Sequence, residues 1–174
     1  CRELGHEVRY ATYYGQCDPL DLLPDNLDAL FVASYTQASA LAYALARMPA
    51  TYAAVTAALN ALVEIRPDFA PKNLLDVGAG PGTATWAAAE TFPSLQRFTL
   101  LDANDALRAL ALALVTDSLR LRDVSYQRGE ARAALAQADT ADLVVASYMI
   151  GEIGDAERRA LAELMWEKTR NTQL

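Results

Sequence analysis

From residue 73 onward the chain alternates between two hydrophobic patterns. Short apolar runs at 73–77, 98–102, 124–128 and 142–147 predict strands. The segments between and after them, at about 82–92, 105–116, 131–137 and 155–169, carry the mixed spacing of helices. The strand runs are not strictly alternating, as expected where both faces of a sheet are covered. Four strand–helix pairs in succession predict a parallel, doubly wound sheet with right-handed crossovers. In such a sheet a ligand sits beyond the carboxyl ends of the strands, at the topological switch point.

Upstream the pattern is different. Residues 6–14 and 27–35 read as strands separated by a loop punctuated by Pro19, Pro24 and Asn26. A helix is expected over 36–48, interrupted at Pro49, with a second helix over 50–65 that takes Pro49 into its first turn. Residues 66–73 connect to the main domain. The expected organisation is therefore a β-β-α appendage at 1–45, a leading helix and linker at 46–72, and an α/β domain at 73–174.

Composition narrows this picture little. The 174 residues are 53% hydrophobic and 21% charged, which reads as globular. No uninterrupted apolar run approaches the roughly 18 residues needed to cross a bilayer, and no signal-peptide pattern opens the chain. No membrane partner and a cytoplasmic setting are expected. Cys1 and Cys17 make neither a disulfide framework nor a metal site, and His6, the only histidine, excludes a histidine metal cluster. A net charge of −7 requires a local basic patch or a partner for nucleic-acid binding. Arg108, Arg120, Arg122 and Arg128 read as solvated surface, and Leu161, Leu164 and Met165 as core.

The candidate chemistry lies at the end of the first predicted strand, in "LLDVGAGPGTATW". Gly78, Gly80 and Gly82 form G-x-G-x-G; the dinucleotide fingerprint would need glycine where Thr83 stands. Asp76, two residues before the first glycine, disfavours a pyrophosphate but suits the ammonium and sulfonium of S-adenosylmethionine (SAM). The competing reading is a tight strand–helix turn with no ligand. Asp102, at the end of the second strand, is placed to accept hydrogen bonds from a ribose diol, or else to cap the following helix. Glu130, after the third strand, is placed to frame an adenine edge, to N-cap a helix or simply to face water. Ser147 and Tyr148 reach the substrate side by position alone. Catalytic residues and metal ligands are not assignable.

Four segments in order carry a resemblance: "ARMPATYAAV" (46–55), "LLDVGAGPGTATWAA" (74–88), "FTLLDAND" (98–105) and "VVASYMIGEI" (144–153). Over residues 46–170 the chain resembles the methyltransferase-like proteins associated with the small ribosomal subunit, bacterial and mitochondrial. The resemblance implies a Rossmann-like class I SAM-methyltransferase fold, here truncated after the fourth strand and preceded by the β-β-α appendage. It implies SAM as cofactor, with Asp76, Gly78, Gly80 and Gly82 in the SAM loop and Asp102 on the ribose. It places Arg47 and Tyr52 over the site and implies the small subunit or its rRNA as partner. The family continues past this endpoint with further strands and a cysteine-bearing region. Residues 1–45 are instead similar to the start of cobalamin-binding domains attached to radical-SAM enzymes, so a fragment joined from two genes near 41–49 is expected.

Three functional readings follow from these resemblances. The first is a SAM-dependent rRNA methyltransferase or subunit-assembly protein. The second is a non-catalytic assembly factor on the same fold, and the third a cobalamin-domain fragment. With later strands missing, one edge of the fourth strand would stand open, either to the N-terminal strands or to association with another chain.

Overall fold

In the computed structural model the described residues are 37–116 and 118–169. The strands expected over 6–14 and 27–35, with Cys1, His6 and Cys17, lie outside them, and so does any docking of the appendage on the sheet.

The four expected strands form one parallel sheet: β1 (Asn73–Val77), β2 (Arg97–Asp102), β3 (Val124–Arg128) and β4 (Leu143–Val145), in the order β3-β2-β1-β4. The helices are α1 (Gln37–Ile65), α2 (Thr83–Thr91), α3 (Asp105–Val115), α4 (Ala131–Gln137) and α5 (Asp155–Lys168), with a 3₁₀ turn at Met149–Glu152. From β1 the chain steps outward to β2 and β3, then returns to the other side of β1 as β4. The order thus reverses beyond Val77 and Val145, where the glycine loop and the post-β4 loop meet.

β1 is buried at every position, including its two polar residues Asn73 and Asp76, as a central strand covered on both faces requires. Its side chains alternate between two cores. Leu74, with Phe98 and Leu100 of β2, packs toward α1 and α2 through Val55, Leu59, Ala84, Ala87 and Ala88. Leu75, Val77 and Leu101 pack on the opposite face against Leu135 and Leu161. Leu164 and Met165 join that second core, and Trp86 packs partly buried against the first.

Two expectations about the leading segment need correction. Pro49 does not separate two helices but lies inside the single 29-residue α1. Proline removes one N–H and frees the carbonyl four residues earlier. Leu45 and Pro49 are both exposed, so water can take up the freed Leu45 carbonyl while the helix continues. By length and composition, moreover, Leu45–Ile65 is long and apolar enough to cross a membrane. Counting uninterrupted apolar residues missed this because its alanines contribute through their sum. In the structure Val55 and Leu59 of that segment pack into the first core.

The amino end of the sheet is closed by polar locks. Asp142 Oδ2 accepts from Lys72 N (2.7 Å), Asn73 N (3.1 Å) and Asn73 Nδ2 (3.4 Å), and Arg97 Nε donates to Asn73 Oδ1 at 2.7 Å. Arg120 is exposed, as expected, and also caps the carboxyl end of α2. Its guanidinium donates to the carbonyls of Ala89 (3.2 and 3.0 Å), Phe92 (2.8 Å) and Leu95 (2.7 Å). Lys168 Nζ does the same for α4, donating to Ala136 O at 2.9 Å and Ala138 O at 2.6 Å. Such donors satisfy carbonyls that a helix end leaves free. Just past α5, Thr169 forms an isolated parallel bridge with Ala141, two residues ahead of β4.

Candidate cofactor and substrate site

The glycine loop is held by its own amides. Gly78 N and Ala79 N both donate to Leu101 O, at 2.8 and 3.0 Å, and Gly82 N donates to Ala79 O at 2.9 Å. Gly80 N donates to Asp102 Oδ2 at 2.7 Å, and Pro81 has no N–H to give. These amides are therefore engaged within the protein and do not form a cradle for a pyrophosphate. That geometry weakens the dinucleotide reading by a route independent of the Thr83 mismatch.

Each glycine also has a local reason to be there. All three adopt left-handed backbone, with φ of 66°, 54° and 82° at Gly78, Gly80 and Gly82. A Cβ on Gly78 would lie 2.4 Å from Met149 Cγ, and one on Gly82 would lie 3.2 Å from Leu100 Cδ2. The close approach at Gly78 is thus made by the protein's own post-β4 loop. The glycines by themselves support a tight turn as well as a ligand cradle; the carboxylates separate the two.

Asp76 is fully buried at the end of β1. Its Oδ2 accepts from Thr85 N at 3.1 Å and Thr85 Oγ1 at 2.7 Å, fastening the first turn of α2 to the strand. Its Oδ1 is buried without a protein partner. Burial pushes the carboxyl up to about 6; the Thr85 hydrogen bonds oppose the rise and the nearby Asp102 charge adds to it. A buried oxygen lacking a donor, in a group that resists ionisation, is the environment a cationic ligand or a bridging water would relieve.

Asp102 is not the cap of α3. That role belongs to Asn104, whose Oδ1 accepts from Ala106 N and Leu107 N, both at 3.0 Å. Asp102 accepts from Asn104 N (Oδ1, 2.8 Å) as well as from Gly80 N, so its carboxylate bridges the β2–α3 turn and the glycine loop. Beside it lies an open groove of about 420 Å³ lined by Ala103, Arg128, Gly129 and Glu130. Glu130 stands at the N-cap position of α4 but its side chain makes no cap bond, and it is exposed. Of its three readings, capping falls away. Arg128 pairs with Asp105 at 3.1 Å, and both side chains are largely solvated.

Sequence reasoning missed Tyr126. Its hydroxyl donates to Gly80 O at 3.0 Å, completing a frame in which Gly80 is held through both its N–H and its C=O. Burial, then the Asp102 and Asp76 charges, keep this phenol far above its ordinary range, so it stays a donor. Arg108 lies 6.0 Å over its ring. A tyrosine in an otherwise half-polar edge strand, "VSYQR", was the available signal. Tyr52 belongs elsewhere: its hydroxyl donates to Glu90 Oε2 at 2.6 Å. Glu90 lies eight residues beyond Gly82, about 12 Å down the helix. Tyr52 therefore joins α1 to α2 and does not cover the loop, and Arg47 is exposed on α1.

On the other side of β1, Met149 N donates to Ser147 O at 2.8 Å, a three-residue turn centred on Tyr148. Tyr148 has φ 65° and ψ −32°, close to the strained classic γ-turn. Arg158 of α5 holds the following 3₁₀ turn by donating to Ile150 O (3.0 Å) and Ile153 O (3.1 Å).

The sheet order and the loops at its carboxyl end define a class, the Rossmann-like α/β fold of SAM-dependent methyltransferases. A protein from Methanococcus maripaludis described as such a methyltransferase superposes with a TM-score of 0.58 at 15% identity, over 78% of this chain and 60% of its own. Magnesium protoporphyrin IX methyltransferase from Synechocystis PCC 6803, solved with bound SAM, gives 0.54 at 13% identity over 68% and 54%. Within that class the family is defined by sequence. Residues 37–174 match the family described as mitochondrial small ribosomal subunit Rsm22, and the chain belongs to it. A human relative, the mitochondrial ribosome assembly protein METTL17, is 29% identical over 140 residues, which are 78% of this chain and 31% of that protein. The chain thus spans about a third of the curated relative it matches.

Proposed function

We propose that this chain is the cofactor-binding part of a methyltransferase-like assembly factor of the small ribosomal subunit, binding SAM or S-adenosylhomocysteine and acting on or near the subunit's rRNA. The observation that carries the reading is the Asp102 carboxylate, fixed by Gly80 N and Asn104 N and followed directly by Ala103, which lines the open groove. Asp102 would receive the ribose diol, using lone pairs that its two backbone donors leave available. Glu130 and Ala103 would frame the adenine in that groove. The buried Asp76 Oδ1, lacking a protein donor, would face the ammonium directly or through water. Gly78, Gly80 and Gly82 would hold these groups in register, with Tyr126 locking Gly80. The residues present therefore fit the group.

When bound, SAM supplies a methyl carbon on a positively charged sulfur. Asp76, Asp102 and the glycine loop would hold the group, and it would supply a methyl electrophile to an acceptor atom. The chain's own task in such a step is orientation and exclusion of water. The family match and the human relative's role in ribosome assembly support an assembly reading whether or not transfer occurs.

Calorimetric titration of S-adenosylhomocysteine into the folded chain, with NAD as control, tests the cofactor half. Saturable binding weakened at least tenfold by Asp102→Ala is expected, a loss of about 1.4 kcal/mol. Absence of binding by a folded sample overturns the reading. Methyl transfer from labelled SAM to small-subunit rRNA then separates the enzyme from the non-catalytic assembly factor.

A further inference from the structure

Tyr148 stands out for combining three features that nothing in the cofactor site uses. It is the sole non-glycine with positive φ among the described residues. It is 56% exposed although large and aromatic. Its neighbour Met149 packs directly on Gly78, which places Tyr148 one residue from the glycine loop. A strained backbone persists only where the surroundings over-determine it, and such positions concentrate at ligand clamps. Here the Ser147–Met149 turn bond, Met149 on Gly78 and the Arg158 clamp are the over-determining contacts.

Strand order gives this position its meaning. Asp102 and the Glu130 groove lie on the β2–β3 side of β1, and β4 lies on the opposite side. A ligand with its nucleoside on the first side extends its other end across Gly78 toward the β4 loop. An acceptor must approach from there. Arg132 lines the same small cavity as Met149, about 80 Å³, and brings a cation to that face; Glu130 and Glu157 line it too.

We propose that the Tyr148 ring is a stacking platform for an unpaired base of single-stranded RNA. The proposal rests on the cofactor reading only for the direction of approach. A planar base matches an exposed phenol ring, whose face binds any base without a hydrogen-bond code. The γ-turn supplies the presentation: it turns the chain sharply at Tyr148, while Met149 stays packed below.

The test uses the full chain and a fluorescein-labelled, unstructured oligoribonucleotide of about ten nucleotides. Fluorescence anisotropy should show RNA affinity falling about tenfold in Tyr148→Ala and staying within about twofold in Tyr148→Phe, as expected for one stacked base. S-adenosylhomocysteine affinity should be unchanged in both variants. Tyr148→Gly distinguishes stacking from structure. Glycine accepts positive φ without steric cost, so its melting midpoint should not fall while RNA affinity drops as far as in the alanine variant. Equal RNA binding by wild type, Tyr148→Ala and Tyr148→Gly would overturn the proposal. So would no RNA binding by the wild type, or a loss that tracks only the folded fraction. Tyr148-dependent capture of a protein in place of RNA would overturn it too. If S-adenosylhomocysteine fails to bind but the Tyr148-dependent RNA affinity is present, the cofactor reading falls and the platform stands.

Discussion

The two ends of the sheet are built on opposite principles. At the amino end, polar groups meet partners: Asp142 takes three donors, and Arg120 and Lys168 satisfy the trailing carbonyls of α2 and α4. At the carboxyl end, an Asp76 oxygen is buried without a donor, three glycines take left-handed backbone, and Tyr148 sits in a strained turn. Locks at one end and strain at the other are what a scaffold shows when its stability and its binding site are placed apart. The carboxyl end is also where strand order reverses, so topology and local energetics select the same region.

The sharpest way to break this comparison is at Gly78. Gly78→Ala adds both a left-handed penalty and a Cβ projected 2.4 Å from Met149 Cγ. Together these should destabilise by about 3 kcal/mol. Gly80→Ala, with only Leu107 Cδ1 at 3.8 Å, meets the conformational penalty alone, about 1 kcal/mol. Urea midpoints measure the difference. Adding Met149→Ala to Gly78→Ala removes the Cγ contact but leaves Met149 Cβ at 2.7 Å, so it should recover only part of the steric cost; full recovery would show that the left-handed backbone is not required there.

Arg120 tests the other end. Arg120→Ala frees the Ala89, Phe92 and Leu95 carbonyls and should cost about 2–3 kcal/mol in urea unfolding. S-adenosylhomocysteine affinity of the folded fraction should not change. A large loss of affinity at constant stability would mean that the two ends are coupled through α2.

Both ends were unequally legible from sequence. The strand–helix alternation, Asp76, the glycines and Asp102 stand out because apolar runs and glycine spacing are local features. Arg120 is exposed as its sequence suggests, but its capping role was hidden because its partners lie 25 to 31 residues away. Such pairings exist only after the crossover has folded. Tyr126 was hidden for the same reason, its partner Gly80 being 46 residues earlier. Pro49 misled because the local penalty was read without knowing that the freed carbonyl faces water. The γ-turn at Tyr148 carries no glycine or asparagine to announce a positive φ, since contacts from Gly78 and Arg158 impose it. β4 ends at Val145 and not at 147 because that turn bends the chain away from β1.

The titration of Asp76 is the most diagnostic of a ligand at the carboxyl end. Asp76 has its carboxyl raised from 3.8 to about 6 in the folded chain. The folded state therefore binds more protons than the unfolded state between those values, and stability falls as pH rises from about 4 to 6. The full shift corresponds to about 3 kcal/mol, and relaxation of the site should leave about 2. Asp76→Asn keeps an oxygen for Thr85 and removes the titration, so urea unfolding of this variant should lose the decline between pH 4 and 6. A cation at Oδ1 acts in the reverse direction, favouring the carboxylate. S-adenosylhomocysteine should therefore bind more tightly at pH 7 than at pH 5 and release a proton on binding near pH 5. The heat of binding in buffers of different ionisation enthalpy reads that proton directly. Binding without proton release, and equally tight in Asp76→Asn, would assign Asp76 wholly to holding α2 through Thr85 and leave Asp102 as the carboxylate that meets the ligand.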